Sequence, residues 1–472
     1  MYSIPLVAVD EAALAQFCAA AQVSTSTFSA WVEHTQFKAA PQTFCLLPSM
    51  DVKHPIAAVL VGVAVNKHGV VDDVYCLSHL PYSLPEGHYH LAKKGEKGEA
   101  GLPATGLEIA APLATLSVGL GAYQFTRYKK PRRVAAVIAL GTTADCMQAQ
   151  RLVDAATLTR DLINTPTEDM GPAHLAEAAQ AIAKACGGKY REWVGDALLE
   201  ANFPAVHAVG RASHRPPRVL EITWGNAAHP KISIVGKGVC FDTGGLNMKG
   251  ADGMRHMKKD MGGSAHALAL AQLIMQAKLP VRLQMLVAAV ENAVSGNAYR
   301  PGEIVSSRKG LKIEIGNTDA EGRVILADVL AYAAESAPEL ILDFATLTGA
   351  ARVALGPELP AMFSNDEAWA ARFETAAKSA HDPIWRMPLW QPYQAMIDSS
   401  IGDVVNAGGA HAGAITAALF LQRFVPENQA WMHVDVFSWN MKNRAGRPEG
   451  GEAQSLRAAF QMLVTNYPTG QQ

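Results

Sequence analysis

Short apolar runs alternate with longer helical stretches over the last two thirds of the chain. Four runs have the length and composition of buried β-strands: KISIVG, LQMLVAAV, ELILDFATL and WMHVDVF. Three other stretches repeat apolar residues at helical spacing: SAHALALAQLIMQAK, GRVILADVLAYAAE and ITAALFLQRFV. Buried strands that alternate with helices favour a largely parallel sheet covered on both faces. We therefore predict a large α/β/α domain around a central, mostly parallel, mixed sheet.

The first third of the chain shows a shorter version of the same pattern. A β-like run, AAVLVGVAV, precedes an apolar helical stretch and a further strand-like run, VAAVIAL. A second helical pattern then ends at a break that Pro166 and Pro172 bracket. We predict a small α/β domain at residues 1–147, a connecting helix at 148–165 and the larger domain at 166–472.

Composition narrows the class of protein. The chain has 472 residues, more than one hydrophobic core usually serves, which agrees with two domains. Hydrophobic residues make up 49% and charged residues 18%, a balance typical of a globular enzyme and unlike that of a disordered chain. The formal net charge of −2 provides no overall field that would favour nucleic acid or an anionic membrane.

Cysteine usage and apolar run length bear on the compartment. The six cysteines are scattered, without CxxC or zinc-ribbon spacing, so we expect reduced thiols. The first residues, MYSIPLVAVDEAAL, lack the basic segment of a secretory signal. The longest apolar stretch, PIAAVLVGVAV, falls short of the roughly 20 residues that span a bilayer. We expect a cytoplasmic protein without a membrane-spanning segment.

Candidate chemistry concentrates where predicted strands end, the edge at which open α/β sheets bind ligands. Four carboxylates lie there in glycine-rich loops: Asp242, Asp260, Asp319 and Glu321. Unpaired and close together, they would repel one another and raise their own pKa values. Divalent cations with oxygen ligands, such as Mg²⁺, Mn²⁺ or Zn²⁺, would relieve that repulsion, and bridging carboxylates suit a two-metal site.

Two lysines share these loops. An ammonium beside metal ions is disfavoured unless it loses its proton and becomes a ligand, or faces developing negative charge. Lys237 and Lys249 could take one role each.

Simpler interpretations exist for each motif taken alone. Asp260 could cap a helix that begins near Gly262, Asp319 and Glu321 could begin the helix after Gly322, and Arg323 could lie on the surface. For His256, His266, His411 and His433, which show no ligand spacing, we favour structural roles. HExxH, GxxxxGK[ST], GxSxG and EF-hand motifs are absent from the sequence.

Three segments closely resemble signature stretches of the leucyl aminopeptidase (cytosol aminopeptidase) family: VGKGVCFDTGG, MKKDMGGSAHAL and, above all, NTDAEGR. The likeness extends over roughly Arg160 to Phe460 and includes TRDLINTPTEDM, DFATLTGA and HAGAITAALFL. Lys237, Asp242, Lys249 and Asp260 follow one another at intervals of 5, 7 and 11 positions, as expected of the family. The chain is thus identified as a member of a divergent branch.

The resemblance implies a role for each matching residue. It makes Lys237, Asp242, Asp260, Asp319 and Glu321 the ligands of two divalent ions, with Asp242 and Glu321 bridging and Lys237 binding as a neutral amine. It assigns oxyanion stabilisation to Lys249, and to Arg323 the binding of a bicarbonate that acts as general base toward the attacking water. It also implies a set of substrate-binding residues: Met257, Asn317, Ala320, Thr346, Leu347 and Gly349.

The function implied is that of a metal-dependent exopeptidase. Such an enzyme hydrolyses the N-terminal peptide bond of peptides with a free α-amino group, with a preference for leucine or other apolar N-terminal residues and with Mn²⁺ or Zn²⁺. The family also implies a macro-like N-terminal domain with an oligomerisation or regulatory role and a homohexamer. The segment around HVDVFSWN departs from the H-x-D-I-A-G run of the commoner leucyl form, which leaves the substrate pocket open.

Two alternatives remain at this point. One is a two-metal hydrolase of another ester or amide bond, although the sequence offers no phosphate-binding loop. The other is a DNA-binding role, which some members of the family have, and its only local support is the basic segment RYKKPRR with Arg127, Lys129, Lys130, Arg132 and Arg133.

Overall fold

The computed structural model describes residues 2–24, 26–92, 106–131 and 133–469. The chain divides into two compact units, the first comprising Met1–Thr157 with Lys442–Pro448 and the second Leu158–Met441 with Glu449–Gln472. A single helix, Ala144–Asn164, begins in the first unit and ends in the second. None of the helices in the described ranges is both long enough and apolar enough to cross a membrane. All six cysteines are free.

The first unit is built on a sheet of five strands among its described residues. These are β1 (Ile4–Val9), β2 (Phe44–Pro48), β3 (Ile56–Gly62), β4 (His88–Leu91) and β5 (Val137–Ala139), in the order β2-β3-β1-β4-β5. Only β2 runs antiparallel to its neighbour. The helices are α1 (Glu11–Ser24), α2 (Ser26–His34), α3 (Leu80–Ser83), α4 (Ala111–Ala122) and α5 (Ala144–Asn164).

Apolar side chains cover both faces of this sheet. Along β1, Leu6 and Ala8 belong to one buried cluster, while Val7 and Val9 belong to another. Successive side chains of a strand point to opposite faces, so each cluster lies on its own face. The predicted small α/β domain is confirmed.

The second unit contains the remaining elements. Its strands are β6 (Lys189–Val194), β7 (Arg218–Trp224), β8 (Lys231–Asp242), β9 (Arg282–Asn292), β10 (Ile304–Ser306), β11 (Lys312–Glu314), β12 (Leu340–Ala345), β13 (Ala361–Ser364), β14 (Trp385–Arg386), β15 (Val404–Val405), β16 (Trp431–Asp435), β17 (Trp439–Asn440) and β18 (Gly450–Gly451). Its helices are α6 (Pro172–Cys186), α7 (Ala197–Glu200), α8 (Pro204–Gly210), α9 (Ala251–Met254), α10 (Gly262–Gln276), α11 (Glu321–Ala334), α12 (Gly349–Leu355), α13 (Glu367–Ser379), α14 (Gly413–Gln422) and α15 (Leu456–Asn466), with 3-10 turns at Thr167–Asp169, Met257–Met261 and Gln391–Ile397.

Its main sheet has the order β14-β13-β16-β12-β8-β9-β7-β6. The four central strands, β16, β12, β8 and β9, are parallel, whereas β13, β7 and β6 each pair antiparallel with the strand on their inner side. The predicted mixed, mostly parallel sheet is therefore confirmed. The apolar runs predicted as strands are the central four, and the flanking strands lie outside them.

Helices pack on both faces of the central strands. Gly236 on β8 lies so close to α10 that an added Cβ would come within 2.6 Å of the Cα of Ser264. The preceding residue, Val235, points to the other face and shares a buried cluster with Val324 of α11. Because the four central strands are parallel, their carboxyl ends meet at one edge of the sheet.

Candidate active site and metal centre

Three predicted carboxylates converge at the carboxyl-terminal edge of the central strands. Asp242 is the last residue of β8, Asp319 lies in the loop that leads into α11, and Glu321 is the first residue of that helix. Each offers an oxygen, and these three oxygens lie within 4.8 Å of one another. Asp242 and Glu321 are buried, which makes the cluster unlike an exposed acidic surface.

Lys237 links a fourth carboxylate, that of Asp260, to this cluster. Its buried Nζ lies 2.7 Å from Oδ2 of Asp260 and 2.9 Å from Oε1 of Glu321, and it donates a hydrogen bond to the carbonyl of Thr346 at 2.8 Å. Burial opposes the charge of Lys237, but Asp260, Glu321 and Asp242 outweigh it and raise the pKa of the ammonium. In the absence of metal, this lysine is therefore the counter-ion of the acidic site.

Lys249 lies on the other side of the cluster. Its Nζ is 2.9 Å from Oδ2 of Asp242 and 2.5 Å from Oδ1 of Asp319. Burial again opposes the charge, and the two carboxylates again outweigh it and raise the pKa of Lys249. The two lysines thus occupy separate positions between the same carboxylates.

The carboxylates still outnumber the lysines by four to two. Burial, together with the neighbouring Asp242, raises the pKa of Glu321 to about 8 and that of Asp319 to about 6. The four carboxylates can thus carry more negative charge than the two lysines neutralise. Buried carboxylate oxygens and an amine nitrogen form a donor set that suits divalent Mn²⁺ or Zn²⁺, so these residues fit the metal ions that the sequence resemblance implies.

Glycines allow this close packing. Gly244 has φ +85° and Gly245 has φ +62°, a region in which other residues are strained. At Gly322 an added Cβ would come within 2.6 Å of Cε of Lys237. A side chain at position 322 would push the lysine away from Glu321.

Arg323 is the third residue of α11 and is 8% exposed. Its Nη1 donates to the carbonyl of Asn406 at 2.9 Å, while its Nε is buried and lacks a hydrogen-bond partner in the part of the chain that the structure describes. Burial lowers the pKa of Arg323 to about 10, which leaves it charged at neutral pH. The helix start therefore carries a buried cation with an unused donor.

The predicted substrate-binding residues lie on the loops that carry these groups. Met257 begins the 3-10 turn that contains Asp260. Asn317 accepts a hydrogen bond from the N–H of Asp319 at 2.8 Å, and Ala320 directly precedes α11. The other three predicted substrate-binding residues lie between β12 and α12: Thr346 and Leu347 follow the strand, and Gly349 begins the helix.

Thr346 also contacts a predicted ligand directly. Its hydroxyl donates to Oδ1 of Asp260 at 2.8 Å, while its carbonyl accepts from Lys237. The next residue, Leu347, donates its N–H to Asp435 at 2.9 Å. This loop therefore fixes Asp260 and Lys237 in addition to any contact with substrate.

Sequence reasoning missed a layer of buried polar residues that hold the carboxylates. Asn292, opposite Asp242 in the β8–β9 register, donates to Oδ1 of Asp242 at 2.8 Å and to the carbonyl of Thr318 at 3.0 Å. Tyr299 donates to the same carbonyl at 2.7 Å. The polar end of the apolar run LQMLVAAVEN was a usable signal for Asn292. Neither Tyr299 nor Asn406 lies in a segment that the sequence analysis had singled out.

Two of the histidines assigned structural roles take part in buried hydrogen bonds. His266 pairs with the carbonyl of Gly262 at 2.7 Å and accepts from the N–H of Gln454 at 2.9 Å. His433 pairs with Asp343 at 2.6 Å.

The basic segment considered for DNA binding lies in the first unit, and Arg132 is outside the described residues. Arg133 donates to the carbonyl of Tyr82 at 2.8 Å, and Arg127 lies over the ring of Tyr128. At least one of these cations thus serves a contact within the chain.

Comparison with known proteins assigns the chain to a family. The cytosol aminopeptidase family, catalytic domain, matches residues 143–460, and the M17 aminopeptidase N-terminal domain matches residues 4–141. A probable cytosol aminopeptidase of Roseiflexus castenholzii is 41% identical over 374 residues, which cover 75% of this chain and 76% of the relative. One from Xanthomonas axonopodis pv. citri is 44% identical over 280 residues, or 59% of this chain and 57% of the relative.

Solved structures agree over the whole length. The 1.8 Å crystal structure of the cytosol aminopeptidase from Coxiella burnetii has a TM-score of 0.89 and 42% identity, covering 99% of this chain and 98% of that one. The bottromycin maturation enzyme BotP, solved in complex with Mn, has a TM-score of 0.85 and 28% identity over 99% of this chain and 100% of that one. This chain belongs to the cytosol aminopeptidase family and is a metal-dependent aminopeptidase of the leucyl aminopeptidase type.

Proposed function

We propose that the chain holds two divalent ions with Lys237, Asp242, Asp260, Asp319 and Glu321, and with them removes the N-terminal residue of peptides that have a free α-amino group. The observation that carries the proposal is the convergence of four carboxylates and two lysines at the carboxyl ends of parallel strands. The similar structure of BotP, solved in complex with Mn, supports Mn²⁺ as one of the ions.

Bound divalent ions would supply Lewis-acid polarisation of the scissile carbonyl and a nucleophile at neutral pH. The chain's own residues supply positioning and charge. Lys237 would hold one of the ions as a neutral amine, with its proton released to solvent when the ion binds. Lys249 would stay charged, and its ammonium would stabilise the oxyanion that forms during attack.

Arg323 is proposed to hold a bicarbonate that takes the proton of the attacking water. Three features support this role: the cation is buried, its Nε donor is unused, and it lies in the first turn of α11, where free N–H groups and the helix dipole favour an anion. A planar anion with several acceptor oxygens matches the donor fork of a guanidinium.

The preference for leucine or another apolar N-terminal residue is part of the same proposal. Met257 and Leu347 bring apolar side chains to the loops that carry Asp260 and Thr346, and an apolar pocket gains free energy from each buried methylene. Asn317, Ala320, Thr346 and Gly349 complete the proposed substrate set. The divergent segment at Phe437, directly after Val436 and Asp435, is where we expect preference to differ from the commoner leucyl form.

Assembly and location complete the proposal through the family resemblance. We propose a cytoplasmic homohexamer in which residues 1–147 serve oligomerisation or regulation, 148–165 connect, and 166–472 carry catalysis.

Hydrolysis of leucine p-nitroanilide by metal-stripped protein, before and after addition of Mn²⁺ or Zn²⁺, tests the proposal. We expect activity to return only with metal, N-acetyl-leucine p-nitroanilide to be inert, and Asp319→Ala to stay inactive at all metal concentrations. Equal activity of stripped and reloaded protein, or full activity of the variant, would refute it. A panel of alanine, leucine, methionine and glutamate anilides tests the side-chain preference separately.

A further inference from the structure

One buried residue from a distant part of the chain makes several hydrogen bonds to the loop that carries Asp319. Asn406 is fully buried and directly follows β15, a strand that runs parallel to β11. The loop Gly316–Ala320 follows β11. Asn406 and the loop thus leave the same small sheet side by side.

Among the described residues, the side chain of Asn406 forms hydrogen bonds with this loop alone. Its Oδ1 accepts from the N–H groups of Gly316 at 2.8 Å and Asn317 at 3.1 Å. Its Nδ2 donates to the carbonyls of Asn317 at 2.7 Å and Ala320 at 3.3 Å. The amide therefore extends the hydrogen bonding between β11 and β15 by one residue. It contacts the loop both before and after Asp319.

The main chain of Asn406 reaches the second half of the site. Its N–H donates to the carbonyl of Glu314 at 3.0 Å, which anchors it to β11. Its carbonyl accepts the 2.9 Å hydrogen bond from Nη1 of Arg323. One buried residue thus fixes the segment with Asp319 and the orientation of Arg323.

We propose that Asn406 is a positioning residue that sets the geometry of the Asp319 loop for metal binding and aims Arg323 into the site. This inference rests on the proposed function, since it assigns Asp319 to metal and Arg323 to the reaction. Without the amide, four loop groups each lose a hydrogen bond and the loop gains alternative conformations. Groups that orient metal ligands typically change affinity or activity by about 10- to 100-fold when removed.

The test compares Asn406→Ala with Asn365→Ala, a matched control that directly follows β13 and contacts the start of β16. Asn365 also bridges two backbone groups, donating to the carbonyl of Gln429 at 2.9 Å and accepting from the N–H of Trp431 at 2.8 Å. Mn²⁺ binding to the stripped proteins is measured from the electron paramagnetic resonance signal of free Mn²⁺, a readout that does not depend on activity. Unfolding temperatures, kcat and KM are measured in parallel.

We expect Asn406→Ala to weaken Mn²⁺ binding by about 10-fold or more and to lower kcat at saturating Mn²⁺ with little change in KM. Asn365→Ala should lower the unfolding temperature and leave Mn²⁺ affinity unchanged. Wild-type Mn²⁺ affinity in Asn406→Ala, or equal weakening in both variants, would overturn the proposal because it would reduce Asn406 to a structural role. Should Asn406→Ala not accumulate as folded protein, the isosteric Asn406→Asp replaces it under the same criteria. A wild-type chain that binds no Mn²⁺ refutes the proposed function instead.

Discussion

Ser438 occupies a conformation that suits glycine. It has φ +58°, its N–H donates to Oε1 of Gln454 at 2.8 Å, and its carbonyl accepts from the N–H of Glu452 at 3.1 Å, so the backbone is fixed on both sides. Its hydroxyl is buried without a hydrogen-bond partner in the described chain. In the H-x-D-I-A-G pattern of the commoner leucyl form, this position is glycine. We therefore predict that Ser438→Gly stabilises the protein.

The magnitude follows from four terms, two that favour glycine and two that oppose it. A non-glycine residue in the left-handed region costs about 1–2 kcal/mol, and a buried hydroxyl without a partner costs about 1–3 kcal/mol. Glycine gives back about 0.5–1 kcal/mol through the greater freedom of the unfolded chain. Losing the packing contacts of the small side chain reduces the stabilisation somewhat further. We therefore expect Ser438→Gly to raise the free energy of unfolding by about 2 kcal/mol, or the unfolding temperature by several degrees.

Calorimetry of Ser438→Gly and Ser438→Ala separates the terms, because alanine removes the hydroxyl and keeps the backbone strain. The expected order of unfolding temperature is glycine, then alanine, then wild type. Ser455 is a matched comparison, since it also has a positive φ, of +62°, and a buried hydroxyl without a partner in the described residues. A Ser438→Gly protein that melts at or below the wild-type temperature would refute the reasoning. Its kcat/KM shows whether the strain serves the reaction.

Two further predictions concern charge. Lys249→Met leaves Asp242 and Asp319 without their shared counter-ion, so the metal-free variant should lose about 2–3 kcal/mol of stability and regain much of it with Mn²⁺. Denaturant unfolding measures both values. A metal-free variant as stable as the metal-free wild type would contradict this prediction. Burial raises the pKa of Asp328 to about 7, so between about pH 4 and pH 7 the folded protein holds a proton that the unfolded chain has released. The free energy of unfolding therefore falls as pH rises through that window. Asp328→Asn should be less stable than wild type, because both carboxylate oxygens of Asp328 accept hydrogen bonds from backbone N–H groups. The variant should also lose the fall in unfolding free energy between about pH 4 and pH 7. An unchanged dependence on pH would show that Asp328 does not cause it.

The central strands could be predicted from sequence because they are buried on both faces. The strand LILDFA of β12 is buried at all six positions, and a short apolar run of this length favours a buried strand. The flanking strand KYREWV of β6 mixes charged and apolar residues without regular alternation and has no fully buried position, so its sequence carries a weaker signal. Pairing with a neighbour, which the sequence does not display, is what makes it a strand.

In the candidate site, too, some features are visible in the local sequence and others depend on how distant segments pair. Asp319 and Glu321 stand out locally because two acids beside glycine follow a strand. The pairing of Lys237 with Asp260 and Glu321, and of Lys249 with Asp242 and Asp319, depends on the strand order. Asn406 is 83 residues from Arg323 in sequence, and no local pattern links a lone asparagine in GDVVNAGG to the loop it holds.

The lysine pairs have a consequence for the order of events after synthesis. A cluster of four bare carboxylates would resist burial, and a chain that had to wait for metal would stay exposed to proteases meanwhile. Lys237 and Lys249 pair with these carboxylates within the chain, so in the proposed metal site they would allow folding to be completed before metal binds. Loss of metal would then return the enzyme to a dormant but intact form, and the supply of metal would regulate how much of it is active.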